Sequence, residues 1–253
     1  MKILKYKKGV KGLYKIELED GTVLSLYEEV ILKYNLLLTK SVDDEIEDEM
    51  FACNLEYEVY YAALNSIKSR NKSEYDLRKY LFNKEYPSDL IDKAINKLIE
   101  QGYLNDRFYA KCYISNQMVT SVYGPLKIEK ELLDKKIDSQ IICEELEIFT
   151  EEEQLIKIDK IIRRIIRTNR SRGGLVLKQK VFNDLKNYGY EISMINKLID
   201  EYEYNTCEDD IAKKEYEKLY AKYSRKYSGY ELDKKIKEKL YLKGLKYISN
   251  END

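Results

Sequence analysis

The residues with the clearest chemical potential in this chain are basic and lie close together. Lys157, Lys160, Arg163, Arg164, Arg167, Arg170, Arg172, Lys178 and Lys180 fall in one stretch, with a single acid, Asp159, among them. Lys160, Arg163, Arg167 and Arg170 recur at intervals of three or four, which places them on one face of a helix. Ile158, Ile161, Ile162, Ile165 and Ile166 lie between them as a stripe to bury. Guanidinium groups in a row offer rigid donor forks that match phosphates or carboxylates. The same pattern also fits an ordinary solvated helix face, and both readings stand at this point. Ser171-Arg172-Gly173-Gly174 forms a turn whose backbone can approach a phosphate, but no GxxxxGKS or GxxxxGKT surrounds it, so it is no P-loop. A second basic set comprises Lys68, Arg70, Lys72, Arg78 and Lys79.

Other chemistry is poorly supplied. There is no histidine among the 253 residues, which removes Ser/His and Cys/His catalysis and the commonest zinc ligand together. Cys53, Cys112, Cys143 and Cys207 are far apart and form no CxxC, so a zinc or redox motif is not expected. They read as free thiols of a reducing cytoplasm. Acid pairs such as Asp43-Asp44 and Asp209-Asp210 are tied to no nucleophile, metal set or glycine loop. The expectation is a protein with no catalytic residues, no metal and no cofactor. The formal charge of −1 gives no overall case for nucleic-acid binding, leaving only the local basic patch to supply one. No apolar run approaches the roughly 18 residues of a membrane span. Met1-Lys2-Ile3-Leu4-Lys5 lacks the apolar core of a signal peptide. A cytoplasmic monomer without a membrane partner is expected.

The elements that must position these groups are mostly helices. Charged residues make up 36% of the chain while only two prolines and ten glycines interrupt it, a balance that favours long amphipathic helices. The start differs. Tyr14, Ile16 and Leu18 alternate with Lys15, Glu17 and Glu19 at strand period. Asp20-Gly21 supplies a hairpin turn, Thr22 to Leu26 a return strand, and Ile3, Leu4 and Tyr6 a third strand. Glu28 to Tyr34 follows as a short helix. An acidic helical stretch carries Asp43, Asp44, Glu45, Glu47, Asp48 and Glu49 around Val42, Ile46, Met50 and Phe51.

Beyond it the pattern repeats. Ser73 caps a helix holding Leu77 and Leu81, with Asp76 expected to reach back in a capping box. Ser88-Asp89 caps the next, which carries Leu90, Ile91, Ala94, Ile95, Leu98 and Ile99 and stops at Gly102. Ile128 and Leu132, then Val181 and Leu185, and then Ile236 and Leu240 echo these positions. Ile-Asn-Lys-Leu-Ile occurs both at 95–99 and at 195–199. A period of about 50 residues suits tandem three-helix units. The expected fold is therefore mainly α, with tandem three-helix repeats in an elongated curved array after a small β-hairpin-containing domain. The expected boundaries are 1–41 for the β-containing domain, 42–55 for an acidic helical linker, then repeats at 56–104, 105–150 and 151–206, and a partial fourth with its tail at 207–253. Gly102 is expected to supply a left-handed helix end, and Tyr103, Phe108, Leu77, Leu81, Ile128 and Leu132 to pack the units.

Between about Tyr60 and Leu133 the order of short motifs resembles the RecX family of regulators of the RecA recombinase. The motifs are Ala63-Leu64, the basic turn Ser69-Arg70-Asn71-Lys72, and Ser73-Glu74-Tyr75-Asp76-Leu77. Gly102-Tyr103-Leu104-Asn105-Asp106 then leads to Phe108-Tyr109-Ala110, and Gly124 to Lys127-Ile128 and Glu131-Leu132. Two departures stand out: Lys127 where the family usually has arginine, and Lys135-Lys136-Ile137 where it has Lys-Gly-Ile. The missing glycine predicts a different helix ending there. The resemblance implies a curved helical array lying in the groove of the RecA–DNA filament, limiting ATP hydrolysis, filament growth and strand exchange, with weak DNA contacts in some members. It implies RecA as partner, with single- or double-stranded DNA as a further one. The competing reading is a helical-repeat nucleic-acid-binding protein acting through Arg163 to Arg172.

Overall fold

The computed structural model describes residues 1–10, 12–204 and 208–246; Cys207 and the tail from 247 lie outside them. The chain divides into two compact units. One is Met1–Tyr109 with Lys135–Ile137, and the other is Ala110–Asp134 with Asp138–Asp253.

The first unit opens on an antiparallel sheet of β1 (Ile3–Lys8), β2 (Leu13–Leu18) and β3 (Val23–Tyr27), in that order. Alternation does what it should: Ile16, Leu18, Leu24 and Leu26 are buried while Lys15 and Glu17 face solvent. The Asp20-Gly21 turn closes on a bond from the Leu18 N–H to the Thr22 carbonyl at 2.9 Å, with Gly21 at φ 86°. Three strands bury little by themselves. Two short helices, α1 (Glu28–Lys33) and α2 (Leu36–Thr39), add Val30, Ile31 and Leu36 to the same core.

The next element, α3, runs unbroken from Asp44 to Ser69, 26 residues. Residues 42–55, read from sequence as an acidic linker, therefore continue directly into the first helical unit. Met50 and Cys53 of α3 lie in the core of the sheet, whereas Val59, Ala63 and Leu64 lie in a second core. That second core is completed by α4 (Glu74–Phe82) and α5 (Ser88–Glu100), through Leu77, Leu81, Leu90, Ile91, Ala94, Ile95 and Leu98.

Several local expectations are corrected here. Ser73 does cap α4, accepting the Asp76 N–H at 3.2 Å. The Asp76 carboxylate, however, turns to the Lys135 ammonium at 2.6 Å instead of back to Ser73. Ser88 is the first helical residue of α5, not its cap, because Pro87 occupies the cap position. Ile99 is 43% exposed. At Gly102 (φ 73°) the helix ends in paired bonds, Gly102 N–H to Ile99 O and Tyr103 N–H to Leu98 O, the Schellman pattern. The side chain packed after that turn is Leu104; Tyr103 is 56% exposed. Phe108 is likewise 60% exposed, since α6 (Asp106–Thr120) buries Tyr109, Ala110 and Ile114 instead.

The second unit continues in groups of three helices. α7 (Pro125–Leu133) and α8 (Ser139–Leu146) follow α6; α9 (Glu151–Thr168), α10 (Gly174–Asn187) and α11 (Ile192–Ile199) form the next group. The last two described helices are α12 (Glu208–Tyr223) and α13 (Gly229–Tyr241), packed over Leu232, Ile236 and Leu240. Ile128 and Leu132 in α7 are fully buried.

One joint occurs twice in this unit. The N-cap residue of α7, Gly124, donates its N–H to the Tyr188 carbonyl at the end of α10, at 2.8 Å. The N-cap residue of α10, Gly173, donates its N–H to the Lys243 carbonyl beyond the end of α13, again at 2.8 Å. Backbone meets backbone in both places, and glycine follows each acceptor: Gly189 (φ 85°) and Gly244 (φ 71°). A Cβ on Gly124 would lie 2.6 Å from the Gly189 oxygen.

This repetition corrects the expectation of a different ending at Lys135-Lys136-Ile137. Lys136 adopts φ 60°, the left-handed conformation that Gly189 and Gly244 take after their helices. Lysine bears a Cβ penalty in that region of about 1 kcal/mol. We expect Lys136→Gly to stabilise the chain by about 0.5–1 kcal/mol, the gain trimmed by glycine's greater freedom when unfolded. A urea midpoint that stays put or falls would contradict the assignment.

Candidate anion-binding cleft

The N-terminus of α9 is fully capped. Thr150 and Glu153 form a reciprocal capping box, and Glu151, Glu152 and Glu153 occupy the first turn, where the helix dipole favours acids. Ile158, Ile161, Ile162 and Ile165 are buried, whereas Ile166 is half-buried and reaches a surface cleft. The helix ends at Thr168. Arg170 is therefore not on the helical face expected for it; it sits in the following turn.

The turn nevertheless returns Arg170 to Arg163 and Arg167. All three line a cleft of about 740 Å³, with Ser171 beside them. The far wall is α12, which contributes Ile211, Lys214, Glu215 and Lys218; Tyr202 and Glu203 complete the lining. Lys160, Arg164 and Arg172 do not line it. Lys214, Lys218 and Tyr202 were not singled out from the sequence. Their only signal was the i,i+4 spacing of the two lysines within a charge-dense helix.

The members of the cleft differ in how far they are committed. The Arg163 Nε donates to both Asp159 oxygens at 2.9 Å, and its guanidinium lies 5.5 Å from the Tyr202 ring centroid. Tyr202 also donates its hydroxyl to Asp159. Hydrogen bonds from Arg163 and Tyr202 hold the Asp159 carboxyl below the usual range. Burial, then the bond to Asp159, pushes the Tyr202 phenol up to about 12. Glu215 is buried and shared between Lys218 at 3.1 Å and Lys243. Arg167, Arg170 and Lys214 make no ion pair among the described residues.

Three further basic residues of the sequence stretch are occupied elsewhere. The Lys157 ammonium donates to the carbonyl oxygens of Gln117 (3.1 Å) and Met118 (2.8 Å), closing the end of α6; burial lowers its pKa. Lys178 pairs with Asp200, and Lys180 with Asp184. Lys127 lies 5.7 Å from the Tyr123 ring centroid and lines a second cleft with Lys130 and Lys186.

In the first unit, Arg78 is held by Glu74 (2.7 Å) and Asp92. Lys72 lies 5.2 Å from the Tyr80 ring centroid, and Arg70 is exposed. Cys53 is buried, while Cys112 and Cys143 are exposed. Among the described residues no group of three or more Cys, Asp or Glu is placed to hold a metal ion. No described helix is long and apolar enough to cross a membrane.

Comparison with known proteins places this arrangement in a family. A family model described as RecX, first three-helix domain, matches residues 60–98, which span the second half of α3 through α5. The regulatory protein RecX of Lactococcus lactis subsp. lactis is 33% identical over 257 residues, covering 95% of this chain and 92% of the relative. The chain belongs to the RecX family of regulatory proteins. RecX of Listeria monocytogenes serotype 4a is 30% identical over 202 residues, covering 80% of this chain and 74% of the relative. A crystal structure of regulatory protein RecX matches with a TM-score of 0.67 at 25% identity, covering 79% of this chain and 99% of that one. RecX from Lactobacillus salivarius matches with a TM-score of 0.55 at 26% identity, covering 59% of this chain and 97% of that one. The RecX family thus accounts for the three-helix groups and for the motif order from Ala63 to Leu132.

Proposed function

We propose that this chain regulates the RecA recombinase by binding in the groove of the RecA–DNA filament, restraining ATP hydrolysis, filament growth and strand exchange. Membership of the RecX family along nearly the whole chain carries the reading. The architecture is compatible with it. Tandem helical groups suit an extended partner with its own repeat. In this reading the protein acts in the cytoplasm as a binding protein and performs no chemical step. Exposed cations such as Arg70, Lys160 and Arg164 remain available to acidic surfaces of the filament.

The test is a titration of RecA ATPase activity on single-stranded DNA. Stoichiometric addition of the chain should slow hydrolysis several-fold and shorten filaments seen by electron microscopy. Unchanged hydrolysis and filament length at that ratio would refute the proposal.

A further inference from the structure

We propose that copies of this chain associate head to tail, the turn that follows α4 in one copy seating on the start of α13 in the next.

Four helices hold the same place in successive groups: α4, α7, α10 and α13. Each is left through a residue with left-handed backbone, namely Glu85 (φ 63°), Lys136 (φ 60°), Gly189 (φ 85°) and Gly244 (φ 71°). The last three of these turns sit against the first turn of the equivalent helix one group earlier, where the third helical residue meets them. Asp76 of α4 pairs with Lys135 at 2.6 Å. Lys127 of α7 lies against Gly189, beside the bond from Gly124 to Tyr188. Val176 of α10 lies against Gly244, beside the bond from Gly173 to Lys243. The residue after the turn is buried each time, as Ile137, Tyr190 and Leu245.

Such a row has two unmatched ends. The turn after α4 has no earlier equivalent helix to meet, and among the described residues no turn seats on the start of α13. Lys84 and Glu85 are exposed and Tyr86 is only half-buried; Ser228, Gly229, Tyr230 and Glu231 are exposed. Helical arrays ordinarily close their ends with polar capping faces. Here each end instead presents a large exposed apolar side chain, Phe82 at one and Tyr230 at the other.

The two ends also match in kind. The two later joints set glycine against glycine. The first joint differs: it has a serine cap (Ser73), an acid in third place (Asp76), and opposite them a lysine (Lys135) before a left-handed residue other than glycine (Lys136). The start of α13 offers a serine cap, Ser228, and an acid in third place, Glu231. The turn after α4 offers Lys84 before the left-handed Glu85. Neither Glu231 nor Lys84 makes an ion pair among the described residues. Docked like the first joint, Glu231 meets Lys84 as Asp76 meets Lys135, and Tyr86 takes the place of Ile137.

The contact joins unlike surfaces, so it closes into a ring or grows as an open chain. A surface ion pair with a small apolar flank is weak, so the expected monomer holds at low concentration. The proposal does not rest on the RecA reading and is tested on the chain alone. Sedimentation equilibrium from low micromolar to near-millimolar concentration should show the weight-average mass rising, and added salt should suppress the rise. K84E and E231K each set like charges against each other and should weaken association at least about fivefold. An equimolar mixture of the two variants should recover it, because every contact between them pairs opposite charges. A folding defect would not be rescued in this way. K213E alters an exposed lysine of α12 outside both ends and should associate like the wild type. A mass of one chain at every concentration would overturn the proposal, as would single variants that associate like the wild type or a mixture no better than its parts. Monomers throughout, with loss of RecA-filament binding in E231K, would assign the α13 end to the recombinase instead.

Discussion

Alanine at Gly189 should cost the protein about 3 kcal/mol, and the same change at Gly102 only about 1 kcal/mol. Both glycines adopt left-handed backbone, at φ 85° and 73°, so both substitutions bear the conformational penalty. They differ in what the new methyl meets. Around Gly102 there is nothing within 4 Å, whereas a Cβ on Gly189 would press on the backbone of Lys127, with its Cα at 2.9 Å. Helix α7 cannot retreat without breaking the bonds from Gly124 N–H to Tyr188 O and from Leu126 N–H to Gly189 O. Gly124→Ala isolates the steric part, because Gly124 has an ordinary φ of −90°. It should cost about 2 kcal/mol, above the roughly 0.5–1 kcal/mol by which glycine already exceeds alanine at an open N-cap. Chemical denaturation of the four proteins measures all of this. Similar midpoints for Gly102→Ala and Gly189→Ala would show that the joint is not tight.

Removing the Lys243 side chain should destabilise the protein by about 2–3 kcal/mol, because a buried carboxylate loses its better partner. Glu215 is 6% exposed. Burial alone would raise its pKa, but the hydrogen bonds and charges of Lys243 and Lys218 outweigh that and bring it below the ordinary glutamate value. A carboxyl with a depressed folded pKa contributes stability above its unfolded pKa and loses it as pH falls through the folded value. The wild-type chain should therefore weaken on acidification from about pH 5 downward, and Lys243→Ala should show a shallower decline over that range. Lys218, whose side chain is 72% exposed, is the comparison: its alanine variant should lose under about 1 kcal/mol. Replacing both partners, as in Glu215→Leu with Lys243→Met, should recover most of the loss, since no charge is then stranded. Equal effects of the two single lysine variants would mean that burial does not set the strength of this pair.

These cases also show which parts of the molecule were legible in the residues. The hairpin could be read because strand alternation and the Asp20-Gly21 turn are local signals. Gly102 could be read because only a left-handed helix end calls for glycine just there. The phase of α6 could not. Phe108-Tyr109-Ala110 is a run of neighbouring apolar residues, and only tertiary packing decides that Tyr109 and Ala110 face inward while Phe108 faces out. Lys136 misled in the opposite sense, since the helix keeps its left-handed ending and lysine tolerates the strain. At the candidate cleft the arginine spacing was visible, but the helix stops at Thr168, and a turn rather than helical periodicity brings Arg170 back. The lysines of α12 were hidden because nothing local distinguishes them from other surface charges. They become notable only when the chain folds α12 opposite α9.

The length of α3 has a consequence for how the first unit comes apart. At about 1.5 Å per residue it is a rod of roughly 39 Å, and its two halves serve different cores. The sheet buries its apolar face partly against Met50 and Cys53 of this helix, so it draws stability from an element that the next core also holds in place. Melting either core frays the rod inside the other. The β-module and the first helical group should therefore exchange their deepest amide protons as one cooperative block. Any cut placed in the acidic segment would divide a shared beam instead of freeing two parts.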